Sequence, residues 1–239
     1  MSDTKTLVAV ATYNEIETLP TLVEAIQQQL PGADILVVDD NSPDGTGRWC
    51  DARAATDQRV TCLHRPGKLG LGSATVAAFG HAIDRGYESV VTMDADWSHD
   101  PDALPALVAG LNRADVAIGS RYCRGGRIDG WPVHRRVASR LMNWASRLAL
   151  GVPASDTSGA FRAYRVESLK RIDLGDLQET GYAYLEEIVW RLHHAGAAFT
   201  ETPITFRDRR AGASKTGLGE LGGKLRMLAR FGFRRPPAA

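Results

Sequence analysis

The chain of 239 residues is poor in cysteine, in net charge and in long apolar runs, and each shortage excludes a class of protein. Its three cysteines, Cys50, Cys62 and Cys123, show no CxxC spacing, so they indicate reduced cytoplasmic thiols rather than a disulfide framework. A formal net charge of +1 at pH 7 gives no reason to expect a nucleic-acid partner. No segment has the apolar core of a signal peptide or the roughly 20 apolar residues of a membrane span. We therefore expect a protein that is soluble or attached to the periphery of a membrane.

Short apolar runs alternate with helical patterns through the first half of the chain. Runs typical of strands cover residues 7–11, 35–38, 60–63, 89–93 and 116–119. Helical patterns cover residues 17–30, 46–56, 72–85 and 101–113. This alternation predicts an α/β fold with a mostly parallel central sheet covered by helices on both faces. Right-handed crossovers then place the carboxyl ends of the strands along one edge.

The pattern changes after about residue 120. Helices are predicted over 134–150, 182–194 and 217–231, with a strand near 199–206. No linker or internal repeat separates the two halves, so we expect a single domain over residues 1–239.

Two pairs of carboxylates stand at the ends of predicted strands. Asp94 and Asp96 follow the strand over 89–93, and side chains two residues apart on an extended backbone point to the same face. Asp39 and Asp40 follow the strand over 35–38 and precede a turn-forming Asn-Ser-Pro-Asp-Gly. One such pair alone is more often two solvated acids in a turn. Since parallel sheets bind ligands beyond the carboxyl ends of their strands, two pairs predict one polar site. One pair would bind Mg²⁺ or Mn²⁺, and the other would bind ligand hydroxyls or base nitrogens.

Basic residues could join these acids at the same edge of the predicted sheet. One follows the strand that ends at residue 119, and the others lie farther along the chain. Each of them alone is by default a solvated surface charge. Arginine and lysine suit phosphate oxygens, so the set as a whole predicts a site for a diphosphate and a second phosphate. The basic residues are Arg121, Arg135, Arg136, Arg209, Arg210 and Lys215.

Two shorter motifs have competing interpretations. Tyr13 could stack on a base and Glu15 could accept a hydrogen bond from a base or ribose, or both could belong to a turn that starts a helix. The KLGLGSA segment is similar to a glycine-rich dinucleotide loop, but Thr75 stands where the third glycine is needed. A nicotinamide-binding enzyme is therefore disfavoured. His99 is expected to be a surface or structural residue.

Two of the predicted helices carry an apolar stripe beside basic residues. Such stripes fit either packing against the sheet or contact with an anionic membrane, and for the first helix we favour packing against the sheet. The stripes are Val137, Leu141, Trp144 and Leu148, and Leu218, Leu221, Leu225 and Leu228.

Taken in order, the motifs ATYNE, VVDDNSPDGT, KLGLGSA, MDADWSHDP, GSRY, GWxxxRR, SDTSGAFRAYR and PITFRDRRAGASK span nearly the whole chain. This series resembles the dolichol-phosphate mannose synthases, within the inverting glycosyltransferases of family 2. The resemblance implies a GT-A fold and a Mg²⁺- or Mn²⁺-dependent transfer of mannose from GDP-mannose to a polyprenyl phosphate. It implies residues 1–119 as the nucleotide-sugar half, 120–215 as the acceptor half and 216–239 as a C-terminal amphipathic helix. It also implies a cytoplasmic enzyme at the inner membrane surface, held there by a peripheral helix or a small membrane partner.

The resemblance also implies roles for individual residues. Arg135, Arg136 and Ser139 would receive the acceptor phosphate, and Asp96 and Ser98 would bind the metal. The catalytic group would be Asp94, Asp96, Arg121 and Arg135. The donor site would comprise Ala11, Tyr13, Glu15, Val37, Asp39, Asp94, Ala95, Asp96, Arg121, Arg209 and Lys215. Two positions depart from the family, since Ala11 replaces a usual proline and Trp97 a usual aliphatic residue.

Other functions stay open from the sequence. The donor could be UDP-glucose or another nucleotide sugar. The acceptor could instead be a saccharide hydroxyl, which would need a carboxylate base, for which Asp156 is our candidate. From a different class, the chain could be a silent nucleotide-sugar-binding subunit of a membrane complex.

Overall fold

Apolar and β-branched runs form the strands of a central sheet in the computed structural model, which describes residues 5–177, 179, 181, 183–208, 228 and 230–232. The sheet has seven strands in the order β3-β2-β1-β4-β7-β5-β8, and β6 and β9 pair in a small second sheet. The strands are β1 (Thr6–Thr12), β2 (Asp34–Asp39), β3 (Val60–His64), β4 (Ser89–Asp94), β5 (Val116–Ser120), β6 (Arg127–Asp129), β7 (Arg162–Arg165), β8 (Phe199–Pro203) and β9 (Thr205–Arg207).

Helices cover both faces of this sheet, as predicted. They are α1 (Leu19–Gln29), α2 (Thr46–Thr56), α3 (Leu71–Asp84), α4 (Leu104–Gly110), α5 (Val133–Leu150), α6 (Val166–Leu169) and α7 (Tyr184–His194). Alternate side chains of β1 separate the core into two parts. Leu7 joins the cluster beneath α3 and α7. Val8 joins the cluster beneath α1 and α4. The predicted α/β fold with a mostly parallel sheet is confirmed.

The structure differs from the predicted elements at several places, and the short elements β6 and α6 were not predicted. Strand β7 was missed, and it runs antiparallel between β4 and β5. The helix predicted over 101–113 is a short 3₁₀ turn followed by α4, which ends at Gly110, where a Cβ would lie 2.8 Å from that of Ala117 on β5. The strand predicted over 199–206 is two strands, because Ile204 turns back to hydrogen-bond Ser120 and β9 then pairs with β6. The helix predicted over 217–231 lies almost wholly outside the described residues, as do Leu218, Leu221 and Leu225.

The prediction that the apolar stripe of α5 packs against the sheet is wrong. Val133, Val137, Leu141, Trp144 and Leu148 are 52% to 64% exposed. The opposite side of α5 is buried instead, through Asn143, Ser146 and Leu150. The helix is thus anchored by polar and small side chains, and its apolar stripe faces outward. Among the described helices, none is both long and apolar enough to cross a membrane.

Candidate functional site

A cleft of about 250 Å³ opens at the carboxyl ends of β1 and β4. These strands are parallel neighbours, and Ala11 pairs with Asp94 across them. The cleft is lined by three groups of residues, which follow β1, follow β4 and precede α3. The groups are Ala11, Thr12, Tyr13 and Glu15; Asp94, Ala95 and Asp96; and Lys68, Gly70 and Leu71. The predicted grouping of acidic strand ends along one edge is thus present, at the place where open parallel sheets bind ligands.

The loop after β4 is a tight turn held by its own polar groups. The backbone N–H of Asp94 donates to Nδ1 of His99 at 3.1 Å, and the N–H of Ser98 donates to Oδ1 of Asp96 at 3.0 Å. Trp97 sits at φ +63°, a left-handed conformation that is rare for a large side chain. This strained turn buries Asp96, which lines the cleft, and Ser98, which follows it in the same turn.

Asp96 and Ser98 fit the predicted divalent-cation site. The Ser98 hydroxyl is buried and has no hydrogen-bond partner among the described residues. Its own backbone N–H bonds the Asp96 carboxylate, so the two side chains share one turn. A carboxylate and an orphaned hydroxyl oxygen are ligands that Mg²⁺ and Mn²⁺ accept. The residues therefore fit the metal, and their ligand role stays a prediction.

The ring of His99 is buried and supports this loop. From the sequence, His99 was expected only to be a surface or structural residue. Its ring stacks on Phe161 with centroids 5.0 Å apart and meets the edge of Phe206 at 5.8 Å. Burial lowers the pKa of His99, so the ring is neutral and Nδ1 can accept the Asp94 N–H.

We expect His99→Leu to lower transferase turnover by about tenfold to a hundredfold, because the Asp94 N–H would be buried without an acceptor, at a cost of about 1–3 kcal/mol. His99→Asn should recover most of the activity, since its side-chain oxygen can replace Nδ1. The measurement is kcat for both variants beside urea unfolding. Equal activity of the two variants would contradict this role.

At the end of β2 the two carboxylates have different roles from those expected. Asp40, not Asp39, lines the cleft, and it forms an ion pair with Arg65 at 2.7 Å. Burial raises the pKa of Asp40, and Arg65 opposes that shift. Asp39 lies below, where it accepts hydrogen bonds from Ser42 and Thr12. The predicted donor contact of Asp39 stays a prediction. Asp40 belongs to the predicted carboxylate pair, while Arg65 is a residue that sequence reasoning did not assign.

Two further predicted donor residues lie at the mouth of the cleft, and one lies in the core. Lys68 places its ammonium 4.3 Å from the ring centroid of Tyr13. The Glu15 carboxylate accepts from Thr18 at 3.2 Å. Val37 is fully buried in the cluster beneath α1 and does not line the cleft, so its position is that of a core residue. Its predicted place under the base remains untested.

Arg121 forms a buried ion pair at the end of β5. Its Nε and Nη2 atoms each donate to Asp156 at 2.7 Å, and Nη2 also donates to Ser158. Burial alone would raise the pKa of Asp156, but the Arg121 guanidinium and hydrogen bonds hold it below its usual range. Asp156 is therefore fully buried, with its oxygens occupied by Arg121 and by the Gly159 N–H, and this environment does not favour the general-base role considered for a hydroxyl acceptor.

The predicted acceptor residues lie on the first turns of α5. Arg135 stacks 3.9 Å from the ring centroid of Trp131 and lies 3.6 Å from Asp208. Ser139, one turn later, accepts from the Tyr122 hydroxyl at 2.6 Å. Arg136 is exposed on a different side of the helix. Arg209, Arg210 and Lys215 lie outside the described residues, so their predicted roles have no geometry to support them here.

The sequence is similar to a known family over most of its length. The family model described as Glycosyl transferase family 2 matches residues 7–173. A Micrococcus luteus protein named undecaprenyl-phosphate mannosyltransferase is 41% identical over 229 residues, which are 96% of this chain and 94% of that one. A Mycolicibacterium smegmatis protein named polyprenol monophosphomannose synthase is 43% identical over 232 residues, 96% of this chain and 88% of that one.

Solved structures share the fold at lower identity. A glucosyl-3-phosphoglycerate synthase from Mycobacterium tuberculosis, solved with Mn²⁺, UDP and phosphoglyceric acid, gives a TM-score of 0.65 at 18% identity, over 95% of this chain and 76% of that one. A mannosyltransferase from Pyrobaculum calidifontis, solved with GDP-Man and Mn²⁺, gives 0.63 at 20% identity, over 98% of this chain and 66% of that one. The predicted GT-A fold is confirmed. The chain belongs to glycosyltransferase family 2, in the branch of the polyprenyl-phosphate mannose synthases.

Proposed function

We propose that this chain transfers mannose from GDP-mannose to the phosphate of a polyprenyl monophosphate, with inversion at the anomeric carbon. The names of its two relatives, at 41% and 43% identity, support a mannosyl donor and a polyprenyl-phosphate acceptor. The observation that carries the proposal is the adjacency of two surfaces. An acidic cleft at the ends of β1 and β4 is linked to α5, a helix with basic first turns and an exposed apolar stripe. Trp131, just before α5, meets Phe206 with centroids 5.4 Å apart, and Phe206 meets His99 beneath the Asp94 loop at 5.8 Å.

The carboxylates of the site favour a phosphate acceptor over a hydroxyl. A hydroxyl needs a general base to remove its proton, and Asp156 is fully buried in its pair with Arg121, which lowers the pKa of Asp156 and makes it a weak base. A phosphate monoester has a second pKa of about 6 and is mostly a dianion at neutral pH, so it attacks without a base. The work of the protein is then to hold two anionic substrates in line.

Asp96 and Ser98 would hold Mg²⁺ or Mn²⁺ against the donor diphosphate. The bound ion would neutralise charge on the departing nucleoside diphosphate. Asp94 forms the neighbouring wall of the cleft, and its backbone is fixed by His99. Attack from the side opposite the diphosphate converts an α-linked donor into a β-linked product.

Arg135 and Ser139 would receive the lipid phosphate near the amino end of α5. The helix dipole adds positive potential there. Arg135 keeps its guanidinium stacked on Trp131, which leaves the edge of that planar group for phosphate oxygens. Because the acceptor is a lipid, α5 would lie on the membrane with its apolar stripe in the interface and its arginines near anionic headgroups.

The proposal is tested by transfer of radiolabelled sugar into an organic-extractable lipid. Purified protein, Mg²⁺ or Mn²⁺ and a short polyprenyl phosphate are mixed with GDP-mannose and, in parallel, with UDP-glucose. We expect chelator-sensitive label in the lipid only from GDP-mannose. Label only from UDP-glucose would overturn the donor. A saccharide is offered as acceptor in a separate reaction. Folded protein that labels the saccharide, or that labels neither the saccharide nor the lipid, would overturn the proposed lipid acceptor.

The apolar stripe of α5 gives a prediction about membrane binding. Leu141→Glu combined with Trp144→Glu should weaken binding to anionic phospholipid vesicles by about tenfold or more, because two apolar side chains are lost and two negative charges added. Binding of GDP-mannose in solution should stay unchanged. The measurement is vesicle sedimentation beside donor binding by calorimetry.

Leu69→Glu is the matched control for this prediction. Leu69 is another large exposed apolar residue, at 51%, but it lies before α3 rather than on α5. Equal vesicle binding by the α5 double variant and the Leu69 variant would contradict a membrane role for the stripe.

A further inference from the structure

A second group of metal-binding side chains lies outside the cleft, at the edge strand of the sheet. Asp51 on α2 and Cys62 and His64 on β3 each place one ligand atom within 4.8 Å of the other two. Cys62 and His64 are two residues apart on β3, so their side chains point to the same face of the strand. Nε2 of His64 already lies 2.8 Å from Oδ1 of Asp51. Helix α2 and strand β3 thus bring three different metal-ligating groups close together.

The kinds of ligand select the class of cation. Thiolate, imidazole and carboxylate together suit a borderline-soft transition metal and do not suit Mg²⁺, which prefers oxygen alone. In a tetrahedral Zn²⁺ site the ligand atoms lie about 3.3–3.8 Å apart, given Zn–ligand bonds of about 2.0–2.3 Å. Small side-chain rotations close the observed spacing to that geometry. We propose that Asp51, Cys62 and His64 form a site for one Zn²⁺ ion, with water in the fourth position.

The surroundings of the three residues support this assignment. His64 and Asp51 are 49% and 59% exposed, so a hydrated ion can reach them. Cys62 is partly buried at the edge of the core beneath α1, while the other two ligands face solvent. Zinc displaces the thiol proton when it binds, so the three side chains can supply one sulfur, one nitrogen and one oxygen ligand.

The site adjoins Asp39 at the end of β2, next in sequence to the cleft residue Asp40. His64 pairs in register with Asp39, and Gly47 lies between the two side chains. A Cβ at Gly47 would lie 2.9 Å from Oδ2 of Asp39 and 3.0 Å from Cε1 of His64. A zinc ion that fixes the His64 ring would therefore also fix the packing around Asp39. The proposal does not depend on which sugar is transferred.

The test measures zinc uptake by the full-length protein without an affinity tag. Asp96→Ala serves as the parent, because it removes the predicted metal ligand of the cleft. Equilibrium dialysis against buffered Zn²⁺ should show one bound ion per chain. Adding Cys62→Ser should weaken that binding by about tenfold or more, since loss of a ligand costs at least as much as loss of an outer partner. Adding Cys123→Ser, a second partly buried cysteine away from the cluster, should leave it unchanged.

Absorption by bound Co²⁺ gives a second measurement of metal binding, which does not depend on the stability of the variants. Co²⁺ added to the parent should give the charge-transfer absorption of a cobalt–thiolate bond, and Cys62→Ser should abolish it. The thermal midpoint of the parent should rise with Zn²⁺, because an ion that binds only the folded state stabilises it. Unchanged zinc uptake after Cys62→Ser, or no thiolate absorption in the parent, would overturn the site.

Discussion

Replacing Asp96 with alanine should lower sugar transfer by about a thousandfold or more while leaving the protein folded. The carboxylate is the anionic ligand of the predicted metal site, and loss of electrostatic stabilisation of the leaving diphosphate removes several kcal/mol, about 4 for a thousandfold change. The hydrogen bond from the Ser98 N–H is lost at a cost to folding of about 1 kcal/mol, which is small beside the expected loss of activity. The measurement is kcat/KM with GDP-mannose at saturating Mn²⁺, beside circular dichroism.

Asp84→Ala is the matched control, since Asp84 is an exposed acid at the end of α3, remote from the cleft. It should leave both turnover and metal dependence unchanged. Near-normal turnover of Asp96→Ala would remove Asp96 from the metal role, and a partly active variant with unaltered metal dependence would do the same.

Replacing Asp156 with asparagine should destabilise the fold by about 3–5 kcal/mol. The substitution keeps the shape of the side chain but leaves the Arg121 guanidinium, itself buried, without its counter-charge. Urea unfolding at neutral pH measures the loss. Glu167→Gln is the control, since Glu167 forms an exposed pair with Lys170 and should change stability by about 0.5 kcal/mol or less.

The same pair sets a pH dependence of stability. The pKa of Asp156 is lower in the folded protein than its ordinary value of 3.8. Its contribution is therefore fully present above that value and is lost as the pH falls through the folded pKa. Below about pH 4 the wild type and Asp156→Asn should converge in stability. Persistence of the full difference in acid would contradict a charge-based role.

A double variant separates the structural role of Arg121 from its predicted catalytic one. Asp156→Asn with Arg121→Met removes both buried charges and keeps a side-chain oxygen that can accept from the backbone N–H groups of Arg121 and Gly159, so it should recover part of the stability lost in Asp156→Asn. Sugar transfer close to the wild-type rate in a stable double variant would show that Arg121 serves the fold alone. A large loss of transfer in a double variant that is stably folded is the result expected if Arg121 acts on substrate.

The sequence predicted those elements whose signal is local. Strands β1 to β5 are apolar runs, and acidic residues stand at the ends of β2 and β4, so the edge that holds the cleft could be predicted. Strand β7 could not be found in this way, because its sequence Arg-Ala-Tyr-Arg contains two arginines. Arg162 is fully buried, with the carbonyls of Thr157 and Leu185 accepting from its guanidinium. These carbonyls lie in irregular or helical segments and leave no periodic pattern in the sequence.

Details of the site depend on contacts of the same kind. Asp39 and Asp40 are adjacent in the sequence, and the structure shows that Asp40 lines the cleft, paired with Arg65. The stripe of α5 was predicted to pack against the sheet. The spacing of apolar residues shows that one side of a helix is apolar, but it does not show whether that side packs against the core or is exposed to solvent. The buried side of that helix is polar and depends on Asn143, whose side chain bonds Ser139, Thr157 and Ser158.

That asparagine makes α5 and the 155–159 loop one rigid piece, and the consequence concerns which lipids can be used. The Asn143 amide ties the helix to Ser158, which in turn bonds Arg121 at the end of β5. On a membrane, the height of the cleft above the headgroups is then fixed by protein contacts and not by the lipid. Every acceptor would present its phosphate at one level, whatever the number of isoprene units below it. Such an enzyme would recognise the phosphate headgroup of its acceptor and would not select for the length of the isoprenoid tail.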